Sequence, residues 1–223
     1  GGLMANPTYR REALEEEFGK LERSSPLVEL NVEADSIITT VGRKAADWLD
    51  LQKTNTLLDI GTGLGRWAFF YAPLCKEVVG IDISEPLIRQ AREAAHQAGV
   101  SNVRFYRGSF ENLIESEEGA DVRPNKVLCV YSFHHLTDPM KAAFLERLAQ
   151  RWPQPLTLVI ADLMWFVDPS RLRESWDDVF YDEGDTDFPS NAFWLQEAAR
   201  PYFDRTLLVA VHPLVGLLVA QKG

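Results

Sequence analysis

The most regular feature of the chain is a series of short apolar runs that alternate with longer stretches of helical spacing. Such runs, bounded by polar residues or glycine, are typical of strands that are buried on both faces of a parallel sheet. The helical pattern is clearest after the second run, where Ser84 is a candidate N-cap and Gly99 a stop signal. The alternation predicts an α/β domain. The five runs cover residues 57–60, 78–83, 103–107, 126–131 and 156–161.

Two further apolar runs close the sequence, at residues 206–211 and 214–221, and only His212 and Pro213 separate them. A connection this short joins antiparallel strands, so we expect a hairpin at this end of the sheet. Ahead of the hairpin, Ser190 is a candidate N-cap for a helix that ends near Pro201. The sequence therefore predicts a mostly parallel sheet that is closed by an antiparallel hairpin.

The residues ahead of the first run have helical spacing instead. A first helix is predicted over residues 8–23 and a second from about residue 33 to residue 51, separated by Ser24-Ser25-Pro26. We expect an N-terminal helical cap over residues 1–52 and the α/β domain over residues 53–223. The apolar stripe of the first helix consists of Leu14, Phe18 and Leu21.

A glycine-rich turn follows the first run and is the strongest candidate for a binding site. Asp59 precedes three glycines at alternate positions, and a helical pattern begins at Trp67. Glycine permits positive φ and lets a ligand lie against the backbone, and the following helix N-terminus offers N–H groups. A dinucleotide fingerprint needs a small residue three positions after its second glycine. Arg66 occupies that position here, and the third glycine, Gly65, comes one residue early.

Asp82 ends the second run, where a carboxylate is placed to accept hydrogen bonds from both ribose hydroxyls of a nucleoside. The acid, the glycines and Asp82 together resemble motif I and the second-strand acid of the class I S-adenosylmethionine-dependent methyltransferases. This resemblance covers the chain from Leu57 to its C-terminus. It implies a Rossmann-like methyltransferase fold with helices on both faces of a seven-stranded, mostly parallel sheet. The implied strand order is 3-2-1-4-5-7-6, with the last strand antiparallel.

The same resemblance implies that S-adenosyl-L-methionine is the cofactor. Ser109 stands where many relatives carry an acid that binds the adenine amino group, and a hydroxyl can accept that bond without charge assistance. Phe110 is expected to lie against the adenine face. The residues expected to bind the cofactor are Asp59, Gly61, Thr62, Gly63, Gly65, Asp82, Ile83, Ser109, Phe110 and Tyr131.

A His-His-Leu sequence follows the fourth run, as in many small-molecule relatives. Methyl transfer is a displacement at a carbon that the sulfonium already activates, so the protein needs a base only for an acceptor of high pKa. His134 and His135 are the candidate catalytic residues, and a purely structural role for the pair remains an alternative. No metal is expected, because no further ligand at a suitable spacing joins the histidines and Asp138. The metal-dependent catechol-type family carries an Asp-Asn pair after the fifth strand, where this chain has Asp162-Leu163.

Residues 163–189 mix aromatic and acidic side chains in a connection long enough to form a lid. Leu172, Trp176 and Phe180 have helical spacing, which predicts a short helix that packs downward. We expect this segment and the N-terminal helices to cover the acceptor. Its acids either form a solvated outer face, or one or two of them turn inward to hold a cationic acceptor. The residues expected to contact the acceptor are Trp165, Trp176 and Tyr181.

Composition narrows the acceptor class. The net charge is −10 and the pI is near 4.9, which disfavours a nucleic-acid surface. Cys75 and Cys129 are not in a C-x-x-C pair, and the sequence shows neither a membrane span nor a signal segment, so a cytoplasmic protein is expected.

The favoured function is a methyltransferase that acts on O, N or C of a small molecule. The exit of the fourth run lacks the Asn/Asp-Pro-Pro-Tyr/Phe sequence of enzymes that methylate base amines or glutamine. A tRNA- or protein-modifying methyltransferase and a non-catalytic S-adenosylmethionine-binding module remain alternatives. The oligomeric state is open.

Overall fold

The computed structural model describes residues 9–12, 14–15 and 36–223. Its strands, in chain order, are β1 Thr56–Ile60, β2 Glu77–Asp82, β3 Val103–Ser109, β4 Leu113–Ile114, β5 Lys126–Val130, β6 Leu156–Trp165, β7 Ser190–Asn191, β8 Arg205–His212 and β9 Val215–Lys222. Its α-helices are α1 Ile37–Lys44, α2 Ala46–Leu49, α3 Arg66–Tyr71, α4 Glu85–Ala98, α5 Asp138–Arg151 and α6 Ala192–Ala199. Within these described ranges, no helix is both long and apolar enough to cross a membrane.

The strands form one sheet in the order β4-β3-β2-β1-β5-β6-β9-β8, and β7 pairs with β6 off this path. The five inner strands from β3 to β6 are parallel, whereas β9 is antiparallel to both β6 and β8. Without the two-residue strands β4 and β7, the order is the predicted 3-2-1-4-5-7-6. The seven-stranded core of the prediction is therefore confirmed, and the two short strands are additions that no hydrophobic pattern marks.

Side chains alternate between two buried layers, because successive residues of a strand point to opposite faces. Leu57 packs in the layer that contains α1 to α4, and its neighbour Leu58 packs in the layer beneath α5 and α6. Ile88 of α4 and Phe144 of α5 are each fully buried, one in each layer. The continuous apolar runs of the sequence follow from burial on both faces.

Only part of the predicted N-terminal helices lies among the described residues. Arg11, Glu12, Leu14 and Glu15 are helical and Leu14 is buried, while the rest of the predicted first helix, including Phe18 and Leu21, lies outside the described residues. The described part of the second predicted helix is two helices, α1 and α2, separated at Ala45. Helix α2 ends at Leu49, and its C-cap residue Asp50 adopts the left-handed conformation.

Two expectations for the segment before the hairpin were wrong, namely the N-cap of its helix and the end of the fifth strand. Ser190 belongs to β7, and Asn191 caps α6 instead, because its side-chain oxygen accepts the N–H groups of Phe193 and Trp194. The helix ends at Ala199, in agreement with the predicted end near Pro201, whereas β6 continues past Ala161 to Trp165. The extension of β6 pairs with Ser190 and Asn191. Ser190, the predicted N-cap, is therefore part of a strand.

The predicted stripe of Leu172, Trp176 and Phe180 does not form one helix. The segment contains two 3₁₀ helices, Pro169–Ser175 and Asp177–Val179, with a kink at Leu172. Leu172 and Trp176 pack against the core, whereas Phe180 is left-handed and 52% exposed. A 3₁₀ turn contains three residues instead of 3.6, so a four-residue spacing does not stay on one face.

The central strands should carry most of the stability. Leu158 of β6 is fully buried, so Leu158→Ala should lower the free energy of unfolding by about 2–5 kcal/mol through lost contacts and the cavity that remains. Leu207 of the edge strand β8 is 40% exposed, and Leu207→Ala should cost less than about 1 kcal/mol. Urea denaturation of both variants measures the difference. Equal losses would contradict the assignment of the core.

Candidate active site

The glycine turn between β1 and α3 is fixed to the end of β2. The N–H groups of Gly61 and Thr62 both donate to the carbonyl oxygen of Ile81 at 2.9 Å, and the N–H of Gly65 donates to the carbonyl of Thr62 at 2.8 Å. These bonds hold the turn at the carboxyl edge of the parallel strands, where ligands bind in open α/β sheets.

The glycines meet different constraints although all three have positive φ. A Cβ on Gly61 would lie 2.4 Å from the Cβ of Ser132, so Gly61 is required by packing as well as by its φ of 79°. A Cβ on Gly63 would meet no atom within 4 Å, which means that this backbone faces open space. Gly63 is thus the glycine at which a ligand can approach the chain.

Asp82 orders the turn from the other side. One carboxylate oxygen accepts the N–H of Gly63 and the other accepts the N–H of Ser84, both at 2.9 Å. A carboxylate offers about four acceptor positions, so hydroxyl groups of a ligand can be bound in addition to these two donors. Ser84 also caps α4, as predicted from the sequence, by accepting the N–H of Leu87.

Asp59 lies behind the turn. Its carboxylate is buried and accepts the hydroxyl of Thr62 at 2.8 Å. Burial, together with the nearby charge of Asp82, raises the pKa of Asp59 to about 7. Asp59 therefore acts on the site through Thr62.

A cavity of about 400 Å³ begins at this turn and continues to the exit of β5. Its lining includes eight of the ten residues predicted to bind the cofactor, and Asp59 and Gly65 are the two that lie behind the wall. Additional lining residues that the sequence did not single out include Leu64, Arg66, Trp67 and Leu87. The eight predicted residues in the lining are Gly61, Thr62, Gly63, Asp82, Ile83, Ser109, Phe110 and Tyr131.

Ser109 is already engaged by neighbouring polar groups. Its hydroxyl donates to Glu115 at 3.0 Å and accepts the N–H of Asn112 at 3.0 Å. Glu115 also accepts both terminal nitrogens of Arg11, at 2.9 and 3.0 Å, which links the N-terminal residues to this side of the cavity. Sequence reasoning missed Glu115 and Arg11, because their pairing joins positions 104 residues apart.

The opposite wall is built around the exit of β5. Tyr131 has a φ of 51°, a conformation that costs energy for a residue other than glycine and is often found at functional sites. Its hydroxyl donates to the carbonyl of Val179 at 2.9 Å, so residues 163–189 are tied to the cavity wall. The 3₁₀ helix Phe133–His135 follows and carries both histidines.

His134 is buried against two carboxylates. Its Nδ1 lies 2.6 Å from Asp162 Oδ1, and its Nε2 lies 3.5 Å from Asp187 Oδ1. Burial alone would lower the pKa of His134, but Asp162 and Asp187 outweigh it and raise the pKa to about 9. Asp162, the acid at the end of the predicted fifth run, therefore sets the orientation of this ring.

His135 has a different environment, although the centres of the two rings are only 4.1 Å apart. Its Nδ1 lies 2.8 Å from the carbonyl oxygen of Thr186 and 3.6 Å from Asp187 Oδ1. Burial and the neighbouring charge of His134 lower the pKa of His135 to about 4. Both histidines line the cavity, and their catalytic role remains a prediction.

Asp187 is the inward-facing acid of the segment 163–189. Its side chain is nearly buried beside both histidines, whereas Asp185 two residues earlier is exposed. Asp182 also contributes to the cavity lining. Asp182 and Asp187 therefore face the cavity, as in the alternative in which one or two acids of this segment turn inward. The sequence did not indicate which acids these would be.

The peptide around Asp187 is held on both sides. The N–H of Phe188 donates to the carbonyl of His134 at 2.7 Å, and the buried Nζ of Lys141 donates to the carbonyl of Phe188 and to Ser190 Oγ, both at 2.6 Å. Burial lowers the pKa of Lys141 to about 8. Sequence reasoning missed Lys141 because a lysine is rarely buried, although its spacing from Phe144 and Leu145 places it on the buried face of α5.

The three residues predicted to contact the acceptor lie behind the cavity lining. Tyr181 packs edge-on against Trp165 and Trp176, with ring centres 5.0 and 4.8 Å apart. None of the three is among the lining residues. Phe180, between them in sequence, is the aromatic residue of this segment that lines the cavity.

Taken together, the sheet order, the glycine turn and Asp82 define a Rossmann-like α/β domain with a nucleoside-type site. Residues 57–152 match the protein family described as Methyltransferase domain. This stretch, from β1 to the end of α5, is similar to a methyltransferase domain and contains the glycine turn, Asp82 and both histidines.

Two curated relatives are each similar to about half of this chain. The chain is 35% identical over 134 residues to the uncharacterized methyltransferase YcgJ of Bacillus subtilis (strain 168), covering 53% of this chain and 51% of YcgJ. It is 29% identical over 119 residues to the 23S rRNA (uracil(1939)-C(5))-methyltransferase RlmD of Aliivibrio fischeri (strain ATCC 700601 / ES114), covering 52% of this chain and 25% of RlmD. The chain thus spans about half the length of YcgJ and a quarter of RlmD.

A solved structure supports the fold over a longer stretch. A SAM dependent methyltransferase from Aquifex aeolicus superposes with a TM-score of 0.59, at 19% identity, over 90% of this chain and 100% of that chain. At this identity the likeness shows the shared fold.

The carboxylate of Asp82 can be tested directly. Asp82→Ala should weaken S-adenosylmethionine binding by about 2 kcal/mol, or roughly 30-fold, because a charged acceptor is lost from the turn and from the ribose position. Titration calorimetry measures the affinity, and Glu93→Ala on the exposed side of α4 is the matched control. Unchanged affinity in Asp82→Ala would remove this residue from the donor site.

The glycine turn allows a second test. Gly63→Ala should cost about 1–2 kcal/mol of stability through its positive φ and should weaken donor binding, because the new methyl group enters the cavity. Gly61→Ala should be the more destabilising change, because it also collides with Ser132. Thermal unfolding and calorimetry separate the two effects. Normal donor affinity in a folded Gly63→Ala protein would contradict this geometry.

Proposed function

We propose that the chain transfers the methyl group of S-adenosylmethionine to O, N or C of a small-molecule acceptor. The observation that carries this proposal is the continuity of the cavity, which joins the glycine turn and Asp82 at one end to His134 and His135 at the other. In-line displacement requires donor and acceptor to occupy one space, because catalysis consists mainly of holding the two in line. A volume of about 400 Å³ lies toward the lower end for ligand pockets, which favours a compact acceptor.

The donor is assigned to the end at the turn. There the open backbone of Gly63 allows close approach, and Asp82 has acceptor positions for ribose hydroxyls. S-adenosylmethionine would supply an activated methyl group in this position. The chain's own residues then bind the nucleoside and exclude water from the reacting end.

The acceptor is assigned to the end at the histidines. Phe180, Asp182 and Asp187 bring the segment 163–189 to this end, which supports the proposed lid. Tyr9 and Leu14 line the same cavity, so the N-terminal residues contribute to the cover. Trp165, Trp176 and Tyr181 would then act by holding Phe180 in place.

The RlmD similarity raises RNA as an alternative acceptor. It covers only the shared domain, a quarter of RlmD, and the net charge of −10 opposes binding to a phosphate backbone. A small molecule is therefore the better-supported acceptor.

Transfer of label from methyl-labelled S-adenosylmethionine tests the proposed function. The purified chain is incubated with metabolites grouped by acceptor atom and, in parallel, with bulk tRNA, rRNA and protein. We expect label in one class of metabolites and none in the macromolecules. Label in RNA or protein alone would support the alternative enzymes, and donor binding without transfer to any fraction would support a non-catalytic module.

Once an acceptor is found, Phe180 tests the position of the lid. Phe180→Ala should raise the acceptor KM about tenfold or more through lost apolar contact, with little change in donor affinity. Phe193 is similarly exposed, at 57%, but lies outside the cavity lining, so Phe193→Ala is the control. Equal KM values for the two variants would contradict the assigned acceptor position.

A further inference from the structure

The feature that the proposed function leaves unexplained is the close approach of two histidines and one carboxylate from distant parts of the chain. His134, His135 and Asp187 each bring one ligand atom to a point where all three atoms lie within 4.8 Å of one another. Two imidazoles and one carboxylate form a donor set that suits Zn²⁺, Fe²⁺ and related divalent ions.

The distances in this cluster differ from those of a hydrogen-bonded network. Asp187 Oδ1 lies 3.5 Å from His134 Nε2 and 3.6 Å from His135 Nδ1, longer than the ~2.7–3.2 Å of a hydrogen bond. Ligands bound at about 2.0–2.2 Å around a tetrahedral ion lie roughly 3.3–3.6 Å from one another. Asp187 therefore stands at the separations expected for atoms that share an ion.

A second observation concerns the other nitrogen of His134. Its Nδ1 lies 2.6 Å from the buried carboxylate of Asp162, which also accepts the N–H groups of Phe133, His134 and Leu163. Histidines that bind metals characteristically donate their second nitrogen to a carboxylate, which fixes the ring and directs the other nitrogen to the ion. Asp162 thus orients the ring of His134 so that its Nε2 points toward Asp187.

A fourth candidate ligand atom, a backbone oxygen, lies beside the cluster. The carbonyl of Thr186 is 2.8 Å from His135 Nδ1, and it accepts a hydrogen bond there when that nitrogen carries its proton. Coordination would remove this proton and leave the carbonyl next to the ion. The backbone near Thr186 is already fixed in place at Phe188. The carbonyl of Phe188 accepts a hydrogen bond from Lys141, and its N–H donates to the carbonyl of His134.

We propose that His134 Nε2, His135 Nδ1 and Asp187 Oδ1 bind one divalent transition-metal ion, with Asp162 as the positioning residue behind His134. The ion belongs to the class that accepts nitrogen and oxygen ligands, with Zn²⁺ as its test member, and not to the oxygen-selective class of Mg²⁺. All three ligand residues line the cavity, so an open coordination position would face it.

This proposal deepens the proposed function and rests on it only for the role of the ion. An ion in this wall would bind an acceptor through an oxygen atom, such as a hydroxyl or carboxylate oxygen, and hold it facing the donor. The binding of the ion itself requires neither donor nor acceptor. The two proposals can therefore fail separately.

The test is ion binding by the full chain after removal of metal with a chelator. Titration with Zn²⁺ should show one equivalent bound per chain, Mg²⁺ should not compete, and Co²⁺ should give the visible absorption of a low-symmetry site. Asp187→Asn should weaken Zn²⁺ binding about a hundredfold, and Asp162→Asn about tenfold or more through loss of orientation. Asp185→Asn, an exposed acid on the same segment, should bind as the unchanged protein does.

A substitution that keeps a ligand makes the test specific. Asp187→Cys should retain Zn²⁺ binding, and its Co²⁺ form should gain a near-ultraviolet sulfur-to-cobalt band, because a thiolate is a good ligand for these ions. The proposal would be overturned if Asp187→Asn bound Zn²⁺ as tightly as the unchanged chain, or if neither bound it stoichiometrically. The cluster would then be a protonated His134 between the carboxylates of Asp162 and Asp187. Calorimetry of S-adenosylmethionine binding to the same metal-free proteins shows independently whether the fold and the donor site are intact.

Discussion

The side of the cavity that we propose for the acceptor depends on one buried carboxylate, that of Asp162 in β6. Its oxygens accept three backbone N–H groups and lie against one ring nitrogen, so a charge that would be costly to bury alone is compensated. Two of the three N–H groups belong to the 3₁₀ helix that follows β5. The loop therefore folds around the acid, and the positions of both histidines follow from this.

The donor side could be predicted because its contacts are local in the sequence. Asp59 and the turn glycines lie within seven residues, and Asp82 reaches Gly63 across only 19 positions. Glycine also carries its own physical signal, since positive φ and close approach exclude most other residues. The burial of Asp59 behind Thr62 could not be predicted, because a carboxylate before a turn looks the same whether it faces a ligand or the core.

The acceptor side could not be predicted in the same way. Asp187 is one of six acids between residues 177 and 187, and only its pairing with histidines about 50 positions away distinguishes it. Three aromatic residues of this part of the chain were predicted to contact the acceptor, but Tyr181 packs on Trp165 and Trp176 behind the lining while Phe180 faces the cavity. Helical spacing failed there, because the local backbone is 3₁₀.

The ties that hold Thr186 and Phe188 have a consequence for how the molecule opens. They consist of a few hydrogen bonds across 47 to 54 positions, whereas the neighbouring strands of the sheet are joined along their whole length. A segment held in this way can detach as a unit of low local stability while the ladder of β5, β6 and β9 stays closed. Amide hydrogens near Phe188 would then exchange through a sub-global opening, and those of β6 only on complete unfolding. The cavity wall that we propose for the acceptor is thus also the part of the domain that can unfold first and let a ligand pass.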